Sequence, residues 1–270
     1  MATQAAKQLE TLLEGVECTV LGDIEDTEIT GICSDSRQVR PGNLFAAIRG
    51  YSVDGHHYLG EAVSAGCATL LVERGWQKNS ADTDARPAVP VVEVADTRRS
   101  LGFIAANFYD HPDRELNMIG ITGTNGKTTT TYLVESMVTA CGGRPGVIGT
   151  VNYRFQERDG NRVAMTAPLT TPEAPDLFAL IRRMADEKVT DVVMEVSSHA
   201  LAQSRLSGMG FDTAVFTNLS RDHLDFHPDM HHYFMSKKLL FTDYLKPGGN
   251  MVIVLDNGEP ATGKAAETSE

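Results

Sequence analysis

MIGITGTNGKTTTTYLVESMVTAC, residues 118–141, decides how the rest of the chain is read. Met118 to Thr122 is a short run rich in apolar side chains, as in a buried strand, and after Lys127 the residues Leu133, Met137 and Val138 recur at helical spacing. A glycine turn, Gly123-Thr124-Asn125-Gly126, lies between them. A strand, a Gly-rich turn running into Gly126-Lys127-Thr128, and a helix together predict a phosphate cradle, in which backbone N–H groups and the positive end of the helix dipole face one anion. Lys127 is then expected to reach the β- and γ-phosphates, and the Thr128 hydroxyl to ligate Mg²⁺. The general pattern has a glycine five residues before Gly126. Ile121 stands there instead, flanked by Gly120 and Gly123.

The 270 residues are enough for about two domains, and 41% hydrophobic with 22% charged is ordinary for a globular protein that folds without staples. A formal net charge of -12 argues against a surface built for nucleic acid, so a phosphate site must be made locally by amides and a few cations. Cys18, Cys33, Cys67 and Cys141 form no C-x-x-C pair, which fits reduced thiols better than a disulfide frame or a zinc site. MATQAAKQLETLLEG at the N-terminus has helical apolar spacing but lacks the basic and apolar blocks of a signal peptide, and no stretch approaches membrane-spanning length. A cytoplasmic protein is expected.

Upstream of the glycine turn the pattern predicts a small α/β module. It has an opening helix, strands at 18–21, 28–33, 43–48, 68–72 and 89–94, a helix near 58–65, and a helix at 96–109 with Asp96 as its N-cap. Two polar loops, Ser34 to Arg37 and Gly50 to His57, suit either ligand binding or ordinary surface turns. Asp110-His111-Pro112-Asp113 breaks the pattern, so a first domain is placed at 1–112 and a second at 113–255. Downstream, strands at 146–150, 190–197 and 213–219 alternate with helices at 174–187, 201–206 and 230–245, and a hairpin at 151–165 turns at Asp159-Gly160. Such alternation predicts a largely parallel sheet with ligands at the carboxyl ends of its strands.

Strand Val192-Val193-Met194 runs into Glu195, and strand Ala214-Val215-Phe216 runs toward Asp222-His223. Each residue alone suits a capped strand end; beside Thr128, Glu195 becomes a natural ligand for a hard ion, and His223 a less expected donor. Met230, Phe234, Leu240, Phe241 and Tyr244 form a helical stripe that includes Lys237. Buried there, Lys237 would have a depressed pKa and a neutral amine able to react with CO₂; alternatively its stem snorkels to solvent. Spacing leaves both readings open.

Thr122 to Thr129, Thr170-Thr171-Pro172-Glu173, Glu195-Val196-Ser197-Ser198-His199 onward to Arg205, and Asn218-Leu219-Ser220-Arg221-Asp222-His223-Leu224-Asp225 together resemble the Mur ligases, in order and over nearly all of residues 20 to 250. The similarity is greatest to the branch that adds the third amino acid to UDP-N-acetylmuramoyl-L-alanyl-D-glutamate in peptidoglycan synthesis, and so serves cell shape and division. The resemblance implies an N-terminal UDP-sugar-binding domain followed by a P-loop ATPase domain, and a monomeric ligase without nucleic-acid or membrane partners. It implies ATP on Gly123, Thr124, Asn125, Gly126, Lys127, Thr128 and Thr129. It places the UDP-sugar dipeptide on Ser34, Ser36, Tyr51, Ser52, Val53, Thr170, Thr171, Ser197, Gln203 and Arg205. Mg²⁺ would be held by Thr128, Glu195, His223 and a carbamylated Lys237, with Lys127, Glu195, His223 and Lys237 as the catalytic set. The γ-carboxylate of D-glutamate would be activated as an acyl phosphate and attacked by the amine of diaminopimelate or lysine.

Family members carry a third, acceptor-binding domain whose arginine motif is not in this sequence, and residues 256–270 read as a polar tail, expected to be disordered. The ATPase sheet is accordingly expected to lack its last strands, and the chain as given to be inactive in ligation. Two other readings stay open on sequence: a non-catalytic nucleotide- or UDP-sugar-binding module, and a relative of folylpolyglutamate synthase, whose phosphate loop lies much nearer the N-terminus.

Overall fold

Side chains of a strand alternate between the faces of its sheet, so Asn43–Ala46, buried at every position, must be covered on both sides. The computed structural model describes residues 5–50, 53–76 and 88–255, and the chain divides into two units, Met1–His111 and Pro112–Glu270. The first unit contains β1 (Lys7–Gln8), β2 (Cys18–Leu21), β3 (Glu28–Ile29), β4 (Gly31–Cys33), β5 (Asn43–Ala46), β6 (Thr69–Glu73) and β7 (Val91–Val94), with helices α1 (Leu9–Leu12), α2 (Leu59–Ser64) and α3 (Thr97–Phe108). Its main sheet has the order β2-β7-β6-β5-β4, parallel except for β2. Leu44, Ala46, Leu71, Val92 and Val94 face one core with Leu101, Ile104 and Phe108 of α3; Phe45, Ala47, Leu70, Val72 and Val91 face another with Leu59 and Ala62 of α2. Asp96 caps α3 by accepting from the Arg99 N–H. The opening helix is one turn, shorter than its spacing suggests, because Asn107 of α3 donates to Leu12 O and Glu14 O and so ties down the carbonyls at its end.

The second unit contains β8 (Asn117–Thr122), β9 (Pro145–Ile148), β10 (Asn152–Gln156), β11 (Arg162–Thr166), β12 (Asp191–Glu195), β13 (Phe211–Phe216) and β14 (Leu245–Ile253), with α4 (Lys127–Ala140), α5 (Ala174–Asp186), α6 (Ser198–Ala202) and α7 (Met230–Thr242). The seven strands form one sheet in the order β11-β10-β9-β12-β8-β13-β14, parallel from β9 to β14, with the β10–β11 hairpin antiparallel at one edge. This is the mixed α/β architecture with a mostly parallel sheet that the β/α alternation predicts. Ile121, Val147, Val193 and Val215 pack with Val134 of α4. On the opposite parity, a Cβ on Gly120 would lie 2.8 Å from the Phe211 ring and 3.1 Å from Leu240, so the missing side chain is what lets α7 sit directly on β8.

Three elements of the second unit also differ from the sequence pattern. The pattern has no counterpart of β14, whose Pro247, Gly248 and Gly249 break the strand signal and whose Met251, Val252 and Ile253 stay half-exposed at the sheet edge. α6 begins at Ser198, earlier than the apolar run suggests, because the Ser197 hydroxyl accepts from the Ala200 N–H; Ser204 at φ 55 follows its end. In α7 the buried row is Tyr233, Lys237 and Leu240, whereas Phe234 of the predicted stripe is 41% exposed. Among the described residues, no helix is long and apolar enough to cross a membrane.

Candidate functional site

The turn from β8 into α4 is shaped by two glycines in left-handed backbone, Gly123 at φ +144 and Gly126 at φ +83. Its outer wall is the segment after β13. Thr124 N–H donates to Asn218 O and Asn125 N–H to Asn218 Oδ1, both at 2.9 Å, while Thr217 Oγ1 donates to Asn125 O at 2.6 Å. The loop is therefore pinned to its neighbours, and the first-turn amides of α4 have no intrahelical acceptor. A Cβ on Gly123 would sit 1.9 Å from Thr217 Oγ1. Gly123→Ala is expected to cost about 1 to 3 kcal/mol of stability, from strain at positive φ and the displaced Thr217 bonds, read as a lower midpoint in urea denaturation. An unchanged midpoint would show that the turn is looser than this packing.

Lys127 bends back over the turn and donates to Gly123 O at 2.8 Å and Thr124 O at 2.9 Å. Lys237, 1% exposed on α7, donates to the same Gly123 carbonyl at 2.8 Å, and its Nζ lies 4.3 Å from the centroid of the Tyr233 ring. Both amines are held below the usual lysine range. For Lys127 the cause is burial, opposed by Glu195 and Asp222. For Lys237 burial acts first and the Lys127 charge second, against Asp222, bringing it to about 7.

The pleat explains how Glu195 joins this group. Val193 faces α4, so Glu195, two residues on, points the same way at the strand's carboxyl end, where α4 begins. It is 2% exposed and accepts from the Thr128 hydroxyl at 2.9 Å, the Thr150 N–H at 3.0 Å and the Thr150 hydroxyl at 3.1 Å. A buried carboxylate with three donors is satisfied without an ion pair. Thr150 lies just past β9 and was not among the expected site residues; only the packing of β9 beside β12 reveals it.

Around the Glu195 main chain the structure gathers the remaining expected residues of this unit. The Thr171 hydroxyl donates to Glu195 O at 2.9 Å and accepts from Ser197 N–H at 3.1 Å, and the Thr170 and Thr150 hydroxyls are 3.0 Å apart. Arg205 donates to Thr171 O and to Gln203 Oε1, and its Nε lies 3.1 Å from Glu173. His223 belongs to another cluster: its side chain is 42% exposed, with Asp222 Oδ2 at 3.5 Å, the His199 ring centroid at 4.8 Å and that of Tyr233 at 6.0 Å. His199 and Tyr233 are further residues that sequence spacing does not single out.

In the first unit, Ser36 donates to Glu61 Oε2 at 3.2 Å and Ser34 is exposed on the turn after β4, where Asp35 accepts from the Arg37 backbone. Val53 is half-exposed, its carbonyl bound by Gly50 N–H at 2.9 Å; Tyr51 and Ser52 lie outside the described residues.

Residues 28–109 match the family model described as "Mur ligase family, catalytic domain", and residues 121–269 the one described as "Mur ligase middle domain". A UDP-N-acetylmuramoyl-L-alanyl-D-glutamate–2,6-diaminopimelate ligase of Geobacter sulfurreducens is 45% identical over 243 residues, covering 90% of this chain and 45% of that protein. A solved structure of a ligase with the same name superposes with a TM-score of 0.70 at 25% identity, over 90% of this chain and 46% of the other. The fold is also that of a MurF ligase from Thermotoga maritima solved with ADP, at a TM-score of 0.52 and 20% identity over 84% of this chain and 46% of that one. The chain thus spans about half the length of the relatives it matches.

Proposed function

The chain belongs to the Mur ligase family, and on that premise we propose that it serves ATP-dependent amide formation on UDP-N-acetylmuramoyl-L-alanyl-D-glutamate, adding 2,6-diaminopimelate, or alternatively L-lysine, as third amino acid in the cytoplasm. The observation that carries this reading is the convergence of Lys127, Lys237, Thr128 and Glu195 on one glycine turn at the carboxyl ends of β8 and β12.

The turn suits ATP. Gly123 and Gly126 supply the positive-φ backbone that turns the chain tightly into α4, with Gly126 exposed at the helix N-terminus, and Thr124, Asn125 and Thr129 complete the loop and first turn. Lys127 would exchange its two carbonyl acceptors for phosphate oxygens and balance the charge that builds up during phosphoryl transfer to the γ-carboxylate. The donor set suits Mg²⁺ as well, since the Thr128 hydroxyl and the Glu195 carboxylate are adjacent hard oxygens, with His223 and Lys237 as carbamate completing the proposed ligands. When bound, the ion would draw charge from the phosphate oxygens. Arg205, Gln203, Ser197, Thr170 and Thr171 would orient the dipeptide carboxylates, and Ser34, Ser36, Tyr51, Ser52 and Val53 the UDP-sugar. Adding UDP-N-acetylmuramoyl dipeptide to the labelled 270-residue chain should shift the NMR signals of Ser34, Ser36, Thr170 and Thr171. Unmoved signals at all four would remove the substrate assignment.

The Lys237 amine, neutral in part at physiological pH, is proposed to add CO₂: its nitrogen lone pair bonds to the carbon, and one N–H proton is released to solvent. Under ¹³C-labelled bicarbonate with Mg²⁺ present, a carbamate resonance approaching one per chain is expected, absent from Lys237→Ala. A resonance of equal intensity in the variant would place the modification elsewhere.

A further inference from the structure

Two residues of α7, one turn apart, grip two successive residues of the phosphate loop. Lys237 Nζ donates to Gly123 O at 2.8 Å, and the Tyr233 hydroxyl meets Thr124 Oγ1 at 3.2 Å. Residues at i and i+4 of a helix lie about 6 Å apart on one face, so the pair reads the turn as a unit. Thr124 has a single hydroxyl hydrogen, directed at Ser220 O at 3.2 Å, and its oxygen accepts from Ser220 N–H at 3.0 Å. Tyr233 is therefore the donor in its own bond, and Thr124 Oγ1 is filled by two donors and one acceptor. On the other side the Tyr233 ring, fully buried, lies 5.1 Å from the His227 ring, which is anchored by its Nε2 to Ser198 Oγ at 3.0 Å. Its face lies under Lys237 Nζ, where it favours a cation and partly offsets the nearby Lys127 charge.

We infer that Tyr233 is a positioning residue, which couples the conformation of the phosphate loop at Gly123-Thr124 to the seat of Lys237 on α7. The inference rests on the reading that this loop holds a nucleotide. A phenylalanine would fill the same volume and keep the ring beneath Lys237, so a purely space-filling role predicts no change in ligand affinity on losing the hydroxyl alone. Coupling predicts a change. Free Thr124 would lose one of its two donors, and the loop would no longer be held by α7 in the shape that accepts the phosphates.

The test is a double-mutant cycle read by calorimetric titration of ADP against the 270-residue chain, using wild type, Tyr233→Phe, Thr124→Val and the double variant, with Lys127→Ala beside them. Tyr233→Phe is expected to weaken ADP by about 2- to 10-fold, the loss of one neutral hydrogen bond, and to add nothing further on the Thr124→Val background. Wild-type affinity in Tyr233→Phe, or losses that multiply in the double variant, would overturn the coupling. If Lys127→Ala binds ADP as wild type does, the nucleotide reading itself falls and the inference with it. Should Tyr233→Phe not fold, Thr124→Ser and Thr124→Val report on the same bond from the other side: the valine variant, which lacks the hydroxyl, should bind ADP more weakly than the serine variant, which keeps it, and equal binding by both would overturn the inference.

Discussion

Replacing Lys127 with alanine is expected to weaken ATP binding by about 1.5 to 3 kcal/mol, roughly 10- to 150-fold, the range for a hydrogen bond to a charged group. The amine sits where two loop carbonyls already converge, so it is pre-placed on the turn that would receive the phosphates. Its loss also removes those two bonds and lets the turn relax, which adds to the effect and does not oppose it. The measurement is calorimetric titration of ATP into wild type and variant. The sign of the salt dependence is a second readout, because a lysine that meets phosphate charge directly makes wild-type binding weaken with ionic strength more steeply than the variant's. Equal affinity would remove Lys127, and with it the glycine turn, from the nucleotide site.

The second large effect concerns stability and pH. In the unfolded chain Lys237 titrates at the usual lysine value of 10.5, whereas burial brings it to about 7 in the folded protein. Between these values the unfolded chain binds more protons than the folded one, so stability rises with pH; below 7 both states are protonated and the cost of the buried cation is felt in full. Lys237→Met removes that cost. The variant should therefore be more stable than wild type by on the order of 2 to 4 kcal/mol below pH 7 in metal- and bicarbonate-free buffer, the advantage shrinking as pH rises toward 10.5. Gly123 O keeps Lys127 as a donor in the variant, so no buried carbonyl is orphaned. Urea denaturation at about pH 6 and about pH 9 separates the outcomes, and an advantage that does not change with pH would show that Lys237 is not held below the usual lysine range.

Together the two lysines explain why the turn is more than a glycine-rich corner. Both donate to one carbonyl, and each charge disfavours the other at close range. Such an arrangement is costly unless an anion arrives or one amine gives up its proton, and either event fits the ligase chemistry proposed here.

Local chemistry determined much of this protein from sequence alone. The strand, glycine turn and helix at 117–140 are set by apolar runs and by glycines at positive φ, the Asp96 cap by a side chain three residues from its partner, and the parallel sheet by β/α alternation. The loop residues Gly123 to Thr129 were legible for the same reason: they are contiguous, and the turn chemistry is local.

Only the tertiary structure decided what meets across the sheet. Glu195 reaches Thr128 because β12 lies beside β8 in a register that brings its last residue to the foot of α4, and Thr150 joins them because β9 lies on the other flank. The buried row of α7 runs through Tyr233 and Lys237 and leaves Phe234 exposed, because the helix is rotated to seat Leu240 on Gly120 of β8. Periodicity gives a helix its apolar stripe but not its rotation against a neighbour, since side chains a hundred residues away set that rotation by their shapes.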